Sequence, residues 1–201
     1  FEAASRSLPP FAPPCTVEQV SPQVRHGHLA ARLYRPEQAG VALPVLIYLH
    51  GGGYCIGSLD SHDAVCRQLT ISAQCAVLAL DYRLAPEHPF PAALEDVRDT
   101  WDWLQEGGLA LGLDPARVAL GGDSAGATLA SVVCAELAAT QEAKPCAQLL
   151  FYPAVDARQT SESQELFAEG HLLESATLAW FYQHYAEQPA QRRDWRCSPL
   201  L

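Results

Sequence analysis

The hydrophobic positions along the chain fall into short continuous runs separated by longer stretches with a helical period. Pro44 introduces Val45-Leu46-Ile47-Tyr48-Leu49, an apolar run closed by Gly51-Gly52-Gly53, and Ala76 to Leu80 repeats the pattern. A run without alternation suits a strand covered on both faces. Upstream, Leu29, Ala31 and Leu33 alternate with Arg32 and Tyr34, the period of a strand with two unlike faces. Arg117 to Leu120 and Gln148 to Tyr152 predict two further strands.

Helical periods fill the intervals. Residues 62–73 predict a helix with Asp60 and Ser61 as N-cap candidates, and His62 and Asp63 read as caps of the same helix. Ala92 to Gln105 carries Leu94, Val97, Trp101 and Leu104 at spacings of three, four and three; Pro91 starts it and Gly107-Gly108 stops it. Glu95, Asp96, Asp99 and Asp102 read as its solvated face. Ala125 to Ala139 is a helix of small residues, and 174–187 places Leu178, Phe181, Tyr182 and Tyr185 on one face. Residues 5–22, rich in Pro and Ser, read as an extended arm. Strands alternating with helices imply right-handed crossovers and a mostly parallel sheet with helices on both faces, an α/β fold.

Composition narrows the class. A length of 201 residues, 49% of them hydrophobic, suits a single domain with a sizeable core. The net charge of −10 argues against nucleic acid or an anionic membrane surface as partner, since both attract basic patches. No apolar run reaches the roughly 18–20 residues that span a bilayer, so stable membrane insertion is not expected. Phe1 to Pro14 lacks the basic start and apolar core of a secretory signal, which makes the cytoplasm the expected location. Seven cysteines, odd in number and without a C-x-x-C pair, read as reduced thiols rather than disulfides or a zinc site. The chain contains no Met and begins at Phe1, so it is expected to be processed or to be a piece of a longer protein.

Two motifs carry chemistry. Gly122-Asp123-Ser124-Ala125-Gly126 is a G-x-S-x-G pentapeptide between an apolar strand and a small-residue helix. A sharp strand-to-helix turn of this kind strains the serine backbone and needs glycine on either side. It projects Ser124 at the carboxyl end of the sheet, where open α/β folds bind ligands. His50-Gly51-Gly52-Gly53 follows the buried strand 45–49, and its glycines allow backbone N–H groups to converge on an oxyanion, with Ala125 supplying another.

These motifs, with Tyr54, the segment Asp81-Tyr82-Arg83-Leu84-Ala85-Pro86-Glu87-His88-Pro89-Phe90-Pro91-Ala92, and Tyr152-Pro153-Ala154-Val155-Asp156, resemble the hormone-sensitive-lipase-like carboxylesterases of the α/β-hydrolase superfamily. The resemblance runs from about residue 28 to Ser198-Pro199-Leu200 and covers one α/β-hydrolase domain, 1–201, with residues 1–25 as the remnant of an N-terminal arm or cap. It implies a serine carboxylic-ester hydrolase that works through an acyl-enzyme on short- to medium-chain esters, without metal or organic cofactor. Ser124 would be the nucleophile and the amides of Gly52, Gly53 and Ala125 the oxyanion hole. His50, Gly51, Tyr54, Gly122, Asp123 and Gly126 would support the site. A small-molecule ester is the implied partner, and homo-oligomerisation is compatible with the family.

The sequence departs from the family after Ser124. The triad order is Ser, then Asp or Glu, then His, yet no segment matches the family's acid motif or its histidine loop. His171 and His184 follow Ser124 but match no triad position; Asp123 points away from the nucleophile, and Asp156 matches a non-triad position. The expectation is a chain with the nucleophile and oxyanion half of a site, poorly active alone and incomplete at both ends. A gibberellin-receptor-like binding protein, which keeps the fold and loses the histidine, is the alternative; a prolyl-oligopeptidase-type peptidase shares only the elbow. His26 and His28 read as surface residues, and Cys55 as a small residue beside the pocket.

Overall fold

The computed structural model describes residues 14–37 and 42–201. Among the described residues there are eight strands and five α-helices, and strand and helix alternate from Leu43 to Leu166. The strands are β1 (Thr16–Val20), β2 (Gln23–Val24), β3 (Gly27–His28), β4 (Ala31–Arg35), β5 (Leu43–Leu49), β6 (Ala76–Leu80), β7 (Leu113–Asp123) and β8 (Ala147–Phe151). The helices are α1 (Asp63–Ala73), α2 (Ala92–Gly107), α3 (Ala125–Ala138), α4 (Glu162–Leu166) and α5 (Ser175–Tyr185). Six strands form one sheet in the order β1-β4-β6-β5-β7-β8, while β2 and β3 make a separate hairpin. The β6-β5-β7-β8 portion is parallel, and β4 and β1 are added antiparallel at one edge.

The apolar runs are central strands, as their lack of alternation predicts. In β5, Val45, Ile47 and Leu49 enter the core on one face with α2 and α3, and Leu46 and Tyr48 enter the second core beneath α1. β6 divides in the same way, Ala76, Leu78 and Leu80 against Val77 and Ala79. This double burial leaves neither face of β5 or β6 open to water. α3 is buried almost all round, from Ala125 to Ala130 and at Val132, Val133, Cys134 and Leu137, because it lies over β7 and β8 and packs against α2.

Four expectations need correction. Within the expected arm, Thr16–Val20 is strand β1 of the sheet, paired residue by residue with Ala31–Arg35; it is an edge strand half-buried on each face, Val17 against the core beneath α1 and Val20 against the core on the other face. The part of the arm before residue 14 lies outside the described residues. Tyr34 does not face water: α1 covers that side of β4, burying the ring, and the hydroxyl donates to Asp63 at 3.0 Å. The acidic face of α2 is not simply solvated. Asp96 is fully buried, accepting from the Arg83 backbone N–H and guanidinium at 2.9 Å each, and Asp99 is clasped by Arg25. Burial pushes the Asp96 carboxyl up, and it stays raised despite the opposing pull of Arg83. Finally, α2 runs on through Gly107 into a single turn of 3-10 helix, Gly108–Leu111, rather than stopping at the glycine pair.

All seven cysteines are free thiols; Cys66, Cys134 and Cys197 are buried, and burial raises their pKa values. Among the described residues no group of three His, Cys, Asp or Glu side chains could hold a metal ion, and no helix is long and apolar enough to cross a membrane.

Candidate active site

The G-x-S-x-G segment forms the joint between β7 and α3. Ser124 adopts φ 50° and ψ −118°, a positive-φ backbone that costs a non-glycine residue about 1–3 kcal/mol and persists only where its surroundings impose it. The surroundings are the flanking glycines. A Cβ on Gly122 would lie 2.2 Å from the Leu49 carbonyl oxygen, and one on Gly126 only 1.9 Å from it. The turn therefore closes against β5 with no room for a side chain. Its other side is fixed by Ser124 N–H donating to Phe151 O of β8 at 2.9 Å and by Thr128, whose hydroxyl bridges to Ala154 O at 3.0 Å.

The loop after β5 folds back on this elbow. Gly52 (φ +132°) and Gly53 (φ +58°) take left-handed conformations, and the Cys55 and Ile56 amides turn in to bond Gly52 O at 3.1 and 3.0 Å. The N–H groups of Gly52, Gly53 and Ala125 meet no acceptor among the described residues, and Ser124 Oγ makes no hydrogen bond there. Gly53, Tyr54, Ser124 and Ala125 line one cavity, closed on its far side by Ala154, Leu173, Leu178, Phe181 and Tyr182. The elbow and the triple glycine, some seventy residues apart in sequence, thus share one small apolar chamber.

Supporting residues lie around that chamber. His50 is buried and stacks on Tyr82 (ring centroids 4.4 Å apart), whose hydroxyl donates to His50 O at 2.6 Å. His50 Nδ1 lies 2.9 Å from Gly51 O, an acceptor, so Nδ1 carries the hydrogen, and the buried Nε2 has no partner among the described residues. Burial lowers its pKa to about 4, with the Gly51 carbonyl pulling the other way, so the ring is neutral at pH 7. Tyr54 (φ 65°) stacks on Tyr185 at 3.8 Å, and its carbonyl accepts from Ala85 N–H at 2.9 Å. The Asp81–Ala92 segment thereby pins the glycine loop from below.

Asp123 turns away from Ser124, as expected, into a nest of donors. Tyr48 OH lies at 2.8 Å, Gly51 N–H at 3.0 Å and His62 Nε2 at 3.2 Å from its Oδ1. Burial pushes this carboxyl up, but hydrogen bonding and charge from His62, then Tyr48 and Gly51, hold it below the ordinary carboxylate range. His62 accordingly does not cap α1 with its side chain, although it occupies the N-cap position; its imidazole is drawn to Asp123 instead. Asp63 serves the first turn of α1, where it holds Arg67 and Arg32.

Among the described residues no histidine lines the cavity. His171 is exposed and bonds Glu169 O; His184 lies against Trp180; Asp156 is tied to Arg158, which keeps its pKa low. Of the wall residues only Leu173 escapes the sequence reading; Leu178 and Phe181 belong to the apolar face of the 174–187 helix, which reads as core in a region that the family resemblance places at the border of the substrate cleft. That face is in fact divided: Tyr182 and Tyr185 belong to the core, and Phe181 seats its ring where a Cβ on Gly53 would lie.

The fold, the elbow and the glycine loop define a class, and comparison with known proteins agrees. A family described as having the α/β hydrolase fold matches residues 46–201. The ethyl acetate hydrolase of Pseudomonas putida is 49% identical over 192 residues, covering 94% of this chain and 60% of that protein. The carboxylic ester hydrolase LipN of Mycobacterium tuberculosis is 44% identical over 181 residues, 87% of this chain and 48% of LipN. The hyperthermophilic esterase of Pyrobaculum calidifontis superimposes with a TM-score of 0.93 at 36% identity, covering 100% of this chain and 67% of that one. The chain belongs to the hormone-sensitive-lipase-like family of the α/β-hydrolase superfamily. It spans about half to three-fifths of the length of these two curated relatives.

Proposed function

We propose that the protein is a serine carboxylic-ester hydrolase acting through an acyl-enzyme on uncharged short- to medium-chain esters. The observation that carries the reading is the strained Ser124 backbone beside three amides, of Gly52, Gly53 and Ala125, that have no other acceptor among the described residues. Ser124 Oγ attacks the ester carbonyl carbon: the Oγ–C bond forms, and the carbonyl π pair moves onto oxygen. The amides receive that charge without reorganising, and the N-terminal end of α3 adds its dipole. Collapse of the intermediate expels the alkoxide, which takes up the serine proton, and water then releases the acid. Among the described residues no histidine lines the cavity, so no general base is assigned to its lining. The apolar wall of Leu173, Leu178 and Phe181 favours uncharged acyl groups.

The test is covalent labelling of the full encoded protein with a p-nitrophenyl phosphonate. The expected result is one phosphonyl group on the peptide containing Ser124, lost in Ser124→Ala together with at least about a thousandfold of ester hydrolysis. Absence of labelling, or hydrolysis undiminished in Ser124→Ala, overturns the reading. A tightly bound but unhydrolysed ester would favour a receptor-like protein on the same fold.

A further inference from the structure

Asp123 and Gly51 join the two halves of the site: one precedes the nucleophile, the other precedes the two glycine donors. Their bond, Gly51 N–H to Asp123 Oδ1 at 3.0 Å, is so close that a Cβ on Gly51 would lie 2.2 Å from Asp123 Oδ2. The register of Gly52 and Gly53 against Ser124 therefore depends on where this one carboxylate points. The Tyr48 hydroxyl also holds Oδ1, at 2.8 Å, which leaves Oδ2 in need of a donor of its own. His62 provides it, with Nε2 at 3.2 Å from Oδ1 and 3.4 Å from Oδ2. A carboxylate with lowered pKa only accepts, so Nε2 carries a hydrogen.

The imidazole is itself held. Nδ1 lies 2.8 Å from Ser61 Oγ. Ser58 and Ser61 form a closed turn: Ser58 N–H donates to Ser61 Oγ at 2.9 Å, Ser61 N–H to Ser58 Oγ at 3.2 Å, and Ser61 Oγ to Ser58 O at 2.8 Å. His62 is buried, with the rings of His50 and Tyr48 facing it at 5.6 and 6.3 Å. A solvent-facing cap would need none of this.

We propose that His62, oriented by Ser61, is a positioning residue for ester hydrolysis: its Nε2–H fixes the Asp123 carboxylate, which sets the oxyanion donors against Ser124. The proposal rests on the hydrolase reading above. His62 touches no substrate, so its loss misplaces donors that act on the transition state, and kcat falls while KM holds.

The experiment compares His62→Leu, which fills the space without a donor, with His62→Gln, whose amide N–H reaches towards the carboxylate, in the full encoded protein with p-nitrophenyl butyrate. In His62→Leu, kcat is expected to fall about 10- to 100-fold with KM within about threefold, and phosphonate inactivation to slow by the same factor. In His62→Gln, kcat is expected to recover to within about fivefold of wild type, although both variants lower Tm. Should His62→Leu fail to fold, Ser61→Ala keeps the ring and removes its orienting hydroxyl, and a severalfold drop in kcat with unchanged circular dichroism is expected. Wild-type kcat in His62→Leu, equal losses in the Leu and Gln variants, or an unaffected Ser61→Ala overturns the proposal. A wild-type protein that neither hydrolyses nor labels overturns the hydrolase reading instead.

Discussion

The two sides of the elbow are built in opposite ways. On one side, β5 and β7 meet with their backbones in near contact: Leu49 is wholly buried, and its carbonyl excludes any side chain from Gly122 and Gly126. On the other side, β8 carries Ala-Gln-Leu-Leu-Phe, nearly as apolar a run as β5, yet Leu150 and Phe151 are exposed, and Leu166, Phe167 and Leu172 beyond it are more exposed still. β5 has a strand on either flank, whereas β8 pairs with β7 alone among the described residues. Burial is thus set by neighbours as much as by side-chain type. The division also suits the chemistry: the nucleophile and its donors sit on the side with least freedom to move.

The largest effect that would break this contrast is at Gly126. Gly126→Ala places a methyl 1.9 Å from a backbone oxygen that cannot swing aside, so a loss of about 4 kcal/mol or failure to fold is expected in urea titration. Gly107→Ala, with nothing within 4 Å of the added methyl, changes stability by no more than about 1 kcal/mol. Equal effects would mean that the β5–β7 joint is no tighter than a helix end.

Next in size is the titration of His50. Burial holds its folded pKa near 4, against about 6.5 unfolded. The unfolded chain therefore binds the extra proton first as pH falls. Stability from this group is fully present above pH 6.5 and is lost progressively down to pH 4, by about 3 kcal/mol in all. Urea midpoints across that window should show the slope, and His50→Gln should remove it. A slope that survives in His50→Gln assigns the acid sensitivity elsewhere.

What can be read in the sequence follows the same division. β5, β6 and the elbow are legible because local information determines them: an unbroken apolar run, a glycine on each side of a serine, a triple glycine at a strand end. The Asp123–His62 bond is not, because it joins residues 61 positions apart, and His62 beside Asp63 has the local signature of a helix start. Asp96 likewise sits in an acidic row whose burial depends on Arg83 arriving from another segment. β1 escapes notice since its two half-buried valines, Val17 and Val20, lie on opposite faces and leave no alternation to read after a proline-rich stretch. The cavity wall is half legible: the α5 period marks an apolar face, but not that Phe181 turns from the core to Gly53.

The smallest expected effect tests the loose side directly. Leu172 has 106% of the accessibility of an extended-chain leucine, so its side chain buries nothing within the described residues. Removing it forfeits no transfer free energy and leaves no cavity, and Leu172→Ser should shift stability by less than about 0.5 kcal/mol. Leu49→Ala, at a wholly buried position on the opposite side of the elbow, should lose about 2–5 kcal/mol in the same urea titration. A loss above about 1 kcal/mol in Leu172→Ser would show that the 172 side chain packs against a further part of the folded protein. The two sides of the elbow would then be equally firm, and exposure would no longer mark the side beyond β8 as the looser one.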